Sequence, residues 1–226
     1  MRRMKVTLMI PTRNEEGCIG KVLAEIPRDV VNEVVIVDGH SKDKTVEEAK
    51  ARLLPQDKLL TQKGRGYGGA FIEAFGVATG DVLIFMDADG SHDPADIPKL
   101  IERVREGYEY VMASRYTSGG HSYDDTIIRW FGNRMFTWMT NVLHGTNVTD
   151  SLYLFTAITR DGLKKLTLTS PGFEFCTEIV VKAHRAGLKF AEVPATERAR
   201  FAGKTKVNAF WHGLKILRMI LHRYRD

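Results

Sequence analysis

The chain has 226 residues, 43% hydrophobic and 27% charged, a composition that excludes a disordered or collagen-like protein and permits a core without disulfide staples. Two cysteines, Cys18 and Cys176, exclude a disulfide framework and match no zinc-site spacing, and no run of 18 apolar residues offers a bilayer span. The net charge of +5 is uneven: His184 to Asp226 holds ten Lys or Arg against three acids, a local +7 against −2 for residues 1–183. Such a tail suits an anionic partner (nucleic acid, a phosphate-bearing ligand or an anionic membrane) or is a solvated basic face.

In chain order, Lys5–Ile10 reads as a short apolar strand, and Gly17–Ile26 as a helix with apolar spacing at Ile19, Val22, Leu23 and Ile26. Val34–Val37 is a strand ending at Asp38. Thr45–Leu54 is a helix stopped by Pro55, and Leu59–Thr61 a short strand. Gly68–Ala78 is helical. Val82–Met86 is a fully apolar strand ending at Asp87, followed by a helix at Ala95–Glu106 and a strand at Tyr110–Ala113. Continuous apolar strands alternating with helices predict a parallel sheet covered on both faces, the doubly wound α/β class. The second half is less regular. Ile127–Leu143 has too many apolar residues for one narrow stripe, with Arg129 and Arg134 interrupting it. Phe173–Ala186 reads as a helix, Phe190–Val193 as a strand, Glu197–Lys206 as a polar loop, and Val207–Tyr224 as a closing amphipathic helix. No internal repeat or linker divides the chain, which predicts one domain.

Ligands of such sheets bind outside the carboxyl ends of the strands. Three strand exits deliver polar and acidic residues there: Pro11-Thr12-Arg13-Asn14-Glu15, Asp38-Gly39-His40-Ser41, and Asp87-Ala88-Asp89-Gly90-Ser91-His92. The Asp87 and Asp89 carboxylates repel each other unless a cation sits beside them, and hard cations such as Mg2+ and Mn2+ take oxygen ligands and bridge phosphates. The alternative is a helix cap ahead of Pro94. The glycines of Gly64–Gly69 suit a tight turn, since no P-loop sequence follows. Arg200–Lys206 places three cations around a glycine, fit to close over a diphosphate. No Ser-His-Asp order, Cys-His pair or HExxH motif is present.

Taken in order, these segments resemble family 2 nucleotide-sugar glycosyltransferases. Val6–Glu15 is similar to the family's opening, Val34–Thr45 to its second signature, Lys63–Ala70 and Ala78–Asp81 to its third, and Asp87-Ala88-Asp89 to its DxD motif. Ala113-Ser114-Arg115-Tyr116 and the Arg200–Lys206 loop resemble the dolichol-phosphate mannose synthase-like branch, and the likeness covers essentially the whole chain. The resemblance implies a GT-A fold, with residues 1–116 as the nucleotide-sugar half and 117–226 as the acceptor half. It implies a GDP- or UDP-hexose donor, Mg2+ or Mn2+, and inverting transfer to a polyprenyl phosphate. By position, it implies that Pro11, Arg13, Glu15, Asp38, Asp87, Ala88, Asp89 and Ser91 line the nucleotide site. Asp89 and Ser91 are implied at the metal, and Arg115, Arg200 and Lys206 near phosphate, as a catalytic set with Asp89. Three positions depart from the branch: Arg13 stands for an aromatic residue, Ser91 for glutamine and Gly39 for a second aspartate. A phosphate acceptor needs little help from a base. For an alcohol acceptor, Asp150 and Glu178 are candidates, with caps or ion pairs as their other role.

The segment Trp130–Leu143 and the last helix then read as interfacial. They imply peripheral attachment to the cytoplasmic face of a membrane, with a membrane-anchoring partner or a homo-oligomer in play and no nucleic acid. A soluble or glycan acceptor, and a non-catalytic nucleotide-sugar-binding module, stay open as alternatives.

Overall fold

The computed structural model describes residues 4–203 and 209–222. The strands are β1 (Val6–Thr12), β2 (Glu33–Asp38), β3 (Lys58–Thr61), β4 (Val82–Phe85), β5 (Tyr110–Ser114), β6 (His121–Ser122), β7 (Thr156–Thr159), β8 (Phe190–Pro194) and β9 (Thr196–Glu197). The helices are α1 (Ile19–Glu25), α2 (Thr45–Lys50), α3 (Tyr67–Phe75), α4 (Ile97–Arg105), α5 (Ile127–His144), α6 (Arg160–Lys164), α7 (Phe175–Arg185) and α8 (Ala209–Leu221). A 3-10 turn at Pro94–Asp96 leads into α4, capped by the Asp93 side chain on the Ala95 N–H. The expected closing helix of Val207–Tyr224 falls partly outside the described residues.

Seven strands form one sheet in the order β3-β2-β1-β4-β7-β5-β8. All neighbours are parallel except β7, which runs antiparallel between β4 and β5. Strand β7 is absent from the sequence reading: four residues, Thr-Ala-Ile-Thr, carry too little pattern to separate a strand from a loop. The expected mostly parallel α/β sheet is otherwise present. Buried apolar side chains alternate across it, as a period of two requires. Leu8, Ile10, Ile84 and Val111 face a layer with Ile19, Val22, Leu100 and Ile101 of α1 and α4. Met9, Val35, Leu83 and Phe85 face the opposite layer, where Phe71 of α3 meets Phe175 and Ile179 of α7.

Strand order reverses between β1 and β4: β2 and β3 lie to one side of β1, and β4 to the other. Loops leaving β1 and β4 therefore diverge and leave a crevice at their carboxyl ends. The chain places Glu15 on one lip and Asp87-Ala88-Asp89 on the other.

Helix α5 is inverted relative to a core helix. Its buried residues are Thr137 and Thr140, while Ile127 is 86% exposed, Ile128 83% and Trp138 64%. Phe131, Val142 and Leu143 are exposed as well. Phe136 and Met139 pack on Ile216, Met219 and Ile220 of α8, which exposes Trp211, Leu214 and Leu221 in turn. Among the described residues, no helix is long and apolar enough to cross a membrane.

Candidate active site

The crevice is a cavity of about 560 Å³, within the range of small-molecule sites. Of the residues that the family resemblance implies at the nucleotide site, Pro11, Arg13, Glu15, Asp87, Ala88 and Asp89 line it, together with Arg200.

Asp87 leaves β4 with its backbone N–H donated to Nδ1 of His92 at 3.1 Å. That bond assigns the ring proton to Nε2, which stands 3.7 Å from Asp87 Oδ2. His92 is buried against Phe155, ring centroids 5.0 Å apart, and edge-on to Tyr153. Burial pushes its pKa down to about 4, so the imidazole is neutral and acts as a fixed acceptor. The Tyr67 hydroxyl donates to Asp87 Oδ1 at 2.6 Å. Burial and the neighbouring Asp89 charge raise the Asp87 carboxyl to about 7.

Asp89 is held on both oxygens. Its Oδ1 accepts the Ser91 N–H at 2.9 Å and the Ser91 hydroxyl at 2.7 Å. Its Oδ2 accepts from Arg200 at 2.5 Å, and the same guanidinium donates to Glu15 Oε2 at 3.0 Å. Burial opposes ionisation of Asp89, but the Ser91 bonds and the Arg200 charge outweigh it and lower the pKa. The segment that carries Arg200 is tied to the Asp89 turn through two backbone bonds, Arg198 N–H to Ser91 O and Phe201 N–H to Asp89 O. Gly90 makes this approach possible. Its φ is +87°, and a Cβ there would lie 2.3 Å from the Phe201 ring.

The structure repositions three expected site residues. Ser91 is buried and its hydroxyl donates to Asp89, so it orients that carboxylate. Asp38 is buried, and its carboxylate holds the Ser41 N–H and hydroxyl in an Asx turn, away from the cavity lining. Arg115 is also off the lining. It forks onto Asp150 at 2.7 and 3.0 Å and reaches Glu197 at 3.1 Å, sandwiched against Tyr116 and Tyr153. Burial disfavours its charge, but Asp150 and Glu197 outweigh that and raise its pKa. Tyr116 continues the chain of contacts to Asp125 and to Asn133 of α5. Asp150 is thereby an ion-pair partner. Glu178 accepts the N–H groups of Thr169 and Ser170 in the loop before α7 and pairs with Lys182. Neither is placed as a base. Lys206 lies outside the described residues, as do Lys204, Arg223 and Arg225.

Four lining residues were not anticipated: Gln62, Tyr67, Phe173 and His212. Tyr67 stacks on Phe173 at 4.7 Å, and Phe173 meets His212 edge-on at 4.8 Å. The strand-exit rule applied to Thr61 would have found Gln62. Tyr67 stands within the glycine-rich segment Gly64–Gly69, whereas Phe173 and His212 converge from the α7 approach and α8, which no local pattern announces.

The donor set suits a hard divalent cation. It is all carboxylate, and burial together with the Asp89 charge raises Asp87, a cost that a cation beside the pair would relieve. Among the described residues, no cluster of three or more His, Cys, Asp or Glu side chains could hold a metal. The protein would supply Asp89 and leave most of the shell to phosphate and water, a usual arrangement for magnesium.

A family model described as Glycosyl transferase family 2 matches residues 7–167. The chain is 30% identical to a dolichol-phosphate mannosyltransferase of Pyrococcus furiosus, over 98% of its own length and 63% of that relative, which is less than two thirds. It is 34% identical to an undecaprenyl-phosphate mannosyltransferase of Micrococcus luteus, over 91% of the chain and 88% of the relative. A glucosyl-3-phosphoglycerate synthase from Mycobacterium tuberculosis, solved with Mn2+, UDP and glucosyl-3-phosphoglycerate, matches 97% of the chain and 79% of its own at a TM-score of 0.79. At 20% identity that likeness speaks for the fold alone. With its GT-A sheet, its acidic strand-end crevice and these relatives, the chain belongs to glycosyl transferase family 2.

Proposed function

We propose that the chain moves a hexose, mannose or glucose, from a GDP- or UDP-hexose to a polyprenyl phosphate at the cytoplasmic face of a membrane, with inversion at the anomeric carbon. One observation carries this reading. Helix α8 gives His212 to the cavity wall, while Trp211 and Leu214 beside it stand exposed. Helix α8 packs on Phe136 and Met139 of α5, a helix that exposes Ile127, Ile128, Phe131 and Trp138. One helix thus joins the acidic, arginine-bearing crevice to an apolar surface. A lipid phosphate has the matching two-part chemistry, and the names of the Pyrococcus and Micrococcus relatives support it.

In this reading residues 1–116 hold the donor and 117–226 receive the acceptor. The acceptor phosphate is ionised near pH 7, so its oxygen attacks the anomeric carbon without a general base. The new C–O bond forms as the bond to the β-phosphate breaks, and the electron pair leaves on the diphosphate. Arg200 stands at Asp89, where its guanidinium can fork onto the departing phosphate. Asp89 would hold a magnesium or manganese ion, which would supply further positive charge against the charge developing on the leaving diphosphate. Ser91 keeps Asp89 oriented, His92 and Tyr67 fix Asp87, and Arg115 acts as a positioning residue between the crevice loops and α5.

The test is to incubate the full chain with vesicles containing polyprenyl phosphate, labelled GDP-mannose or UDP-glucose, and Mg2+ or Mn2+. Label should enter the organic phase. Asp89→Ala should lose about 100-fold or more, the usual cost of one such electrostatic contact. Label found only on water-soluble acceptors, or equal rates in Asp89→Ala, would sink the reading.

A further inference from the structure

Gln62 follows β3 directly, and β3 is the edge strand three places from β4 in the sheet. Three strand spacings span about 14 Å. A nucleoside diphosphate laid across the strand ends covers that distance, with its phosphates at Asp89 and Arg200 and its base beside Pro11, Gly39 and Gln62.

Arg13 packs beside Gly39 at that end, and few neutral groups there can read a base edge. The Asp38 carboxylate is engaged by Ser41, and Gly39 has no side chain. Gln62 is only 5% exposed. Its Nε2 donates to Gly66 O at 2.8 Å, which fixes the amide: turning it over would set oxygen against oxygen. The other end, Oε1, is therefore an oriented acceptor. It faces the space beside Gly39, where an added Cβ would lie 3.4 Å from it. It accepts no hydrogen bond among the described residues.

We propose that Gln62 reads the base of the donor nucleotide, its amide oxygen accepting the ring N–H of uracil or guanine and rejecting cytosine and adenine. Uracil N3 and guanine N1 carry a hydrogen. Cytosine N3 and adenine N1 present a lone pair at the same edge, which would leave two acceptors facing each other. A site built around a hydrogen bond discriminates strongly against a partner that cannot make it. Gly39 belongs to the same device, because a side chain there would fill the space between the base and the amide.

This inference rests on the nucleotide-sugar reading. Binding of UDP, CDP, GDP, ADP and inorganic pyrophosphate is measured by calorimetry with Mg2+ or Mn2+, for the full chain and for Gln62→Met, which keeps the volume and loses the acceptor. The expected wild-type preference is at least about tenfold for UDP over CDP or for GDP over ADP, and the pair that shows it identifies the base. In Gln62→Met the ratio should approach unity while pyrophosphate affinity stays unchanged. Gln62→Asn, which withdraws the amide by one methylene, should lose the ratio as well and replaces the methionine variant if that one fails to fold. A ratio preserved in both variants overturns the inference. So does a parallel loss of pyrophosphate affinity, which marks Gln62 as a prop for the Gly66 turn, and so does a wild type indifferent to the base. A wild type that binds none of the four nucleotides overturns the donor reading itself.

Discussion

Glu33 gives a prediction whose magnitude comes directly from the structure. It opens β2, is 2% exposed, and accepts from the Thr7 hydroxyl, the Thr79 N–H and hydroxyl, and Lys58 Nζ at 2.8 Å. It thereby ties β1, β2, β3 and the turn before β4 together. Burial alone would raise its pKa, but the bonds from Lys58, Thr7 and Thr79 outweigh it and bring the pKa down to about 2, from an ordinary 4.5. A carboxylate depressed on folding stabilises the native state above its unfolded pKa, and that contribution is lost as pH falls from about 4.5 towards 2. At 1.36 kcal/mol per pKa unit the contribution is about 3 kcal/mol at pH 7, and more than half of it is gone by about pH 3. Glu33→Gln keeps the shape and removes the titration. Urea unfolding of both proteins between neutral pH and pH 3 isolates the Glu33 part, because the other carboxyls cancel in the difference. The wild-type advantage should shrink as pH falls across that window. Two stability curves that stay parallel from pH 7 to pH 3 would refute the assignment.

Arg115→Lys should destabilise by about 3 kcal/mol or more in the same assay, because one ammonium cannot fork onto Asp150 and also reach Glu197, and breaking a buried pair strands its carboxylates. Its kcat should fall with little change in donor KM if Arg115 positions the acceptor side rather than binding phosphate. Gly68→Ala sets a Cβ 2.3 Å from Ser170 O and 2.6 Å from Phe175 Cβ. Backbone on one side and a packed ring on the other leave no room, so a loss of about 1–3 kcal/mol is expected by thermal or urea unfolding. The pair Ile128→Asp and Phe131→Asp should weaken binding to anionic vesicles by sedimentation while leaving urea stability within about 0.5 kcal/mol, since both side chains are exposed. Unchanged vesicle binding would separate the α5 surface from any membrane role.

Burial within single segments made much of the fold legible. Val34–Val37 and Val82–Met86 are apolar without alternation, which only a strand covered on both faces can use. Their exits at Asp38 and Asp87 followed from the same rule, because ligands of such sheets gather at strand carboxyl ends. The same rule points to Glu15 and the Asp87-Ala88-Asp89 segment, while Arg200 is marked by its cationic loop, and the structure brings all of them to one cavity.

What the sequence determined by itself was six of the seven strands of the main sheet, the rim they deliver and the acids standing on it, because these depend on near neighbours along the chain. Tertiary structure alone decided which side chains face a ligand and which face each other. Arg115 crosses 35 positions to Asp150 and 82 to Glu197. Strand β7 joins the sheet through register with β4 and β5 rather than through its own four residues. Gln62 and His212 reach the pocket because β3 and α8 pack where they do. A side chain's direction is set by the partner it finds across the fold, and that partner is specified by packing rather than by spacing in the chain.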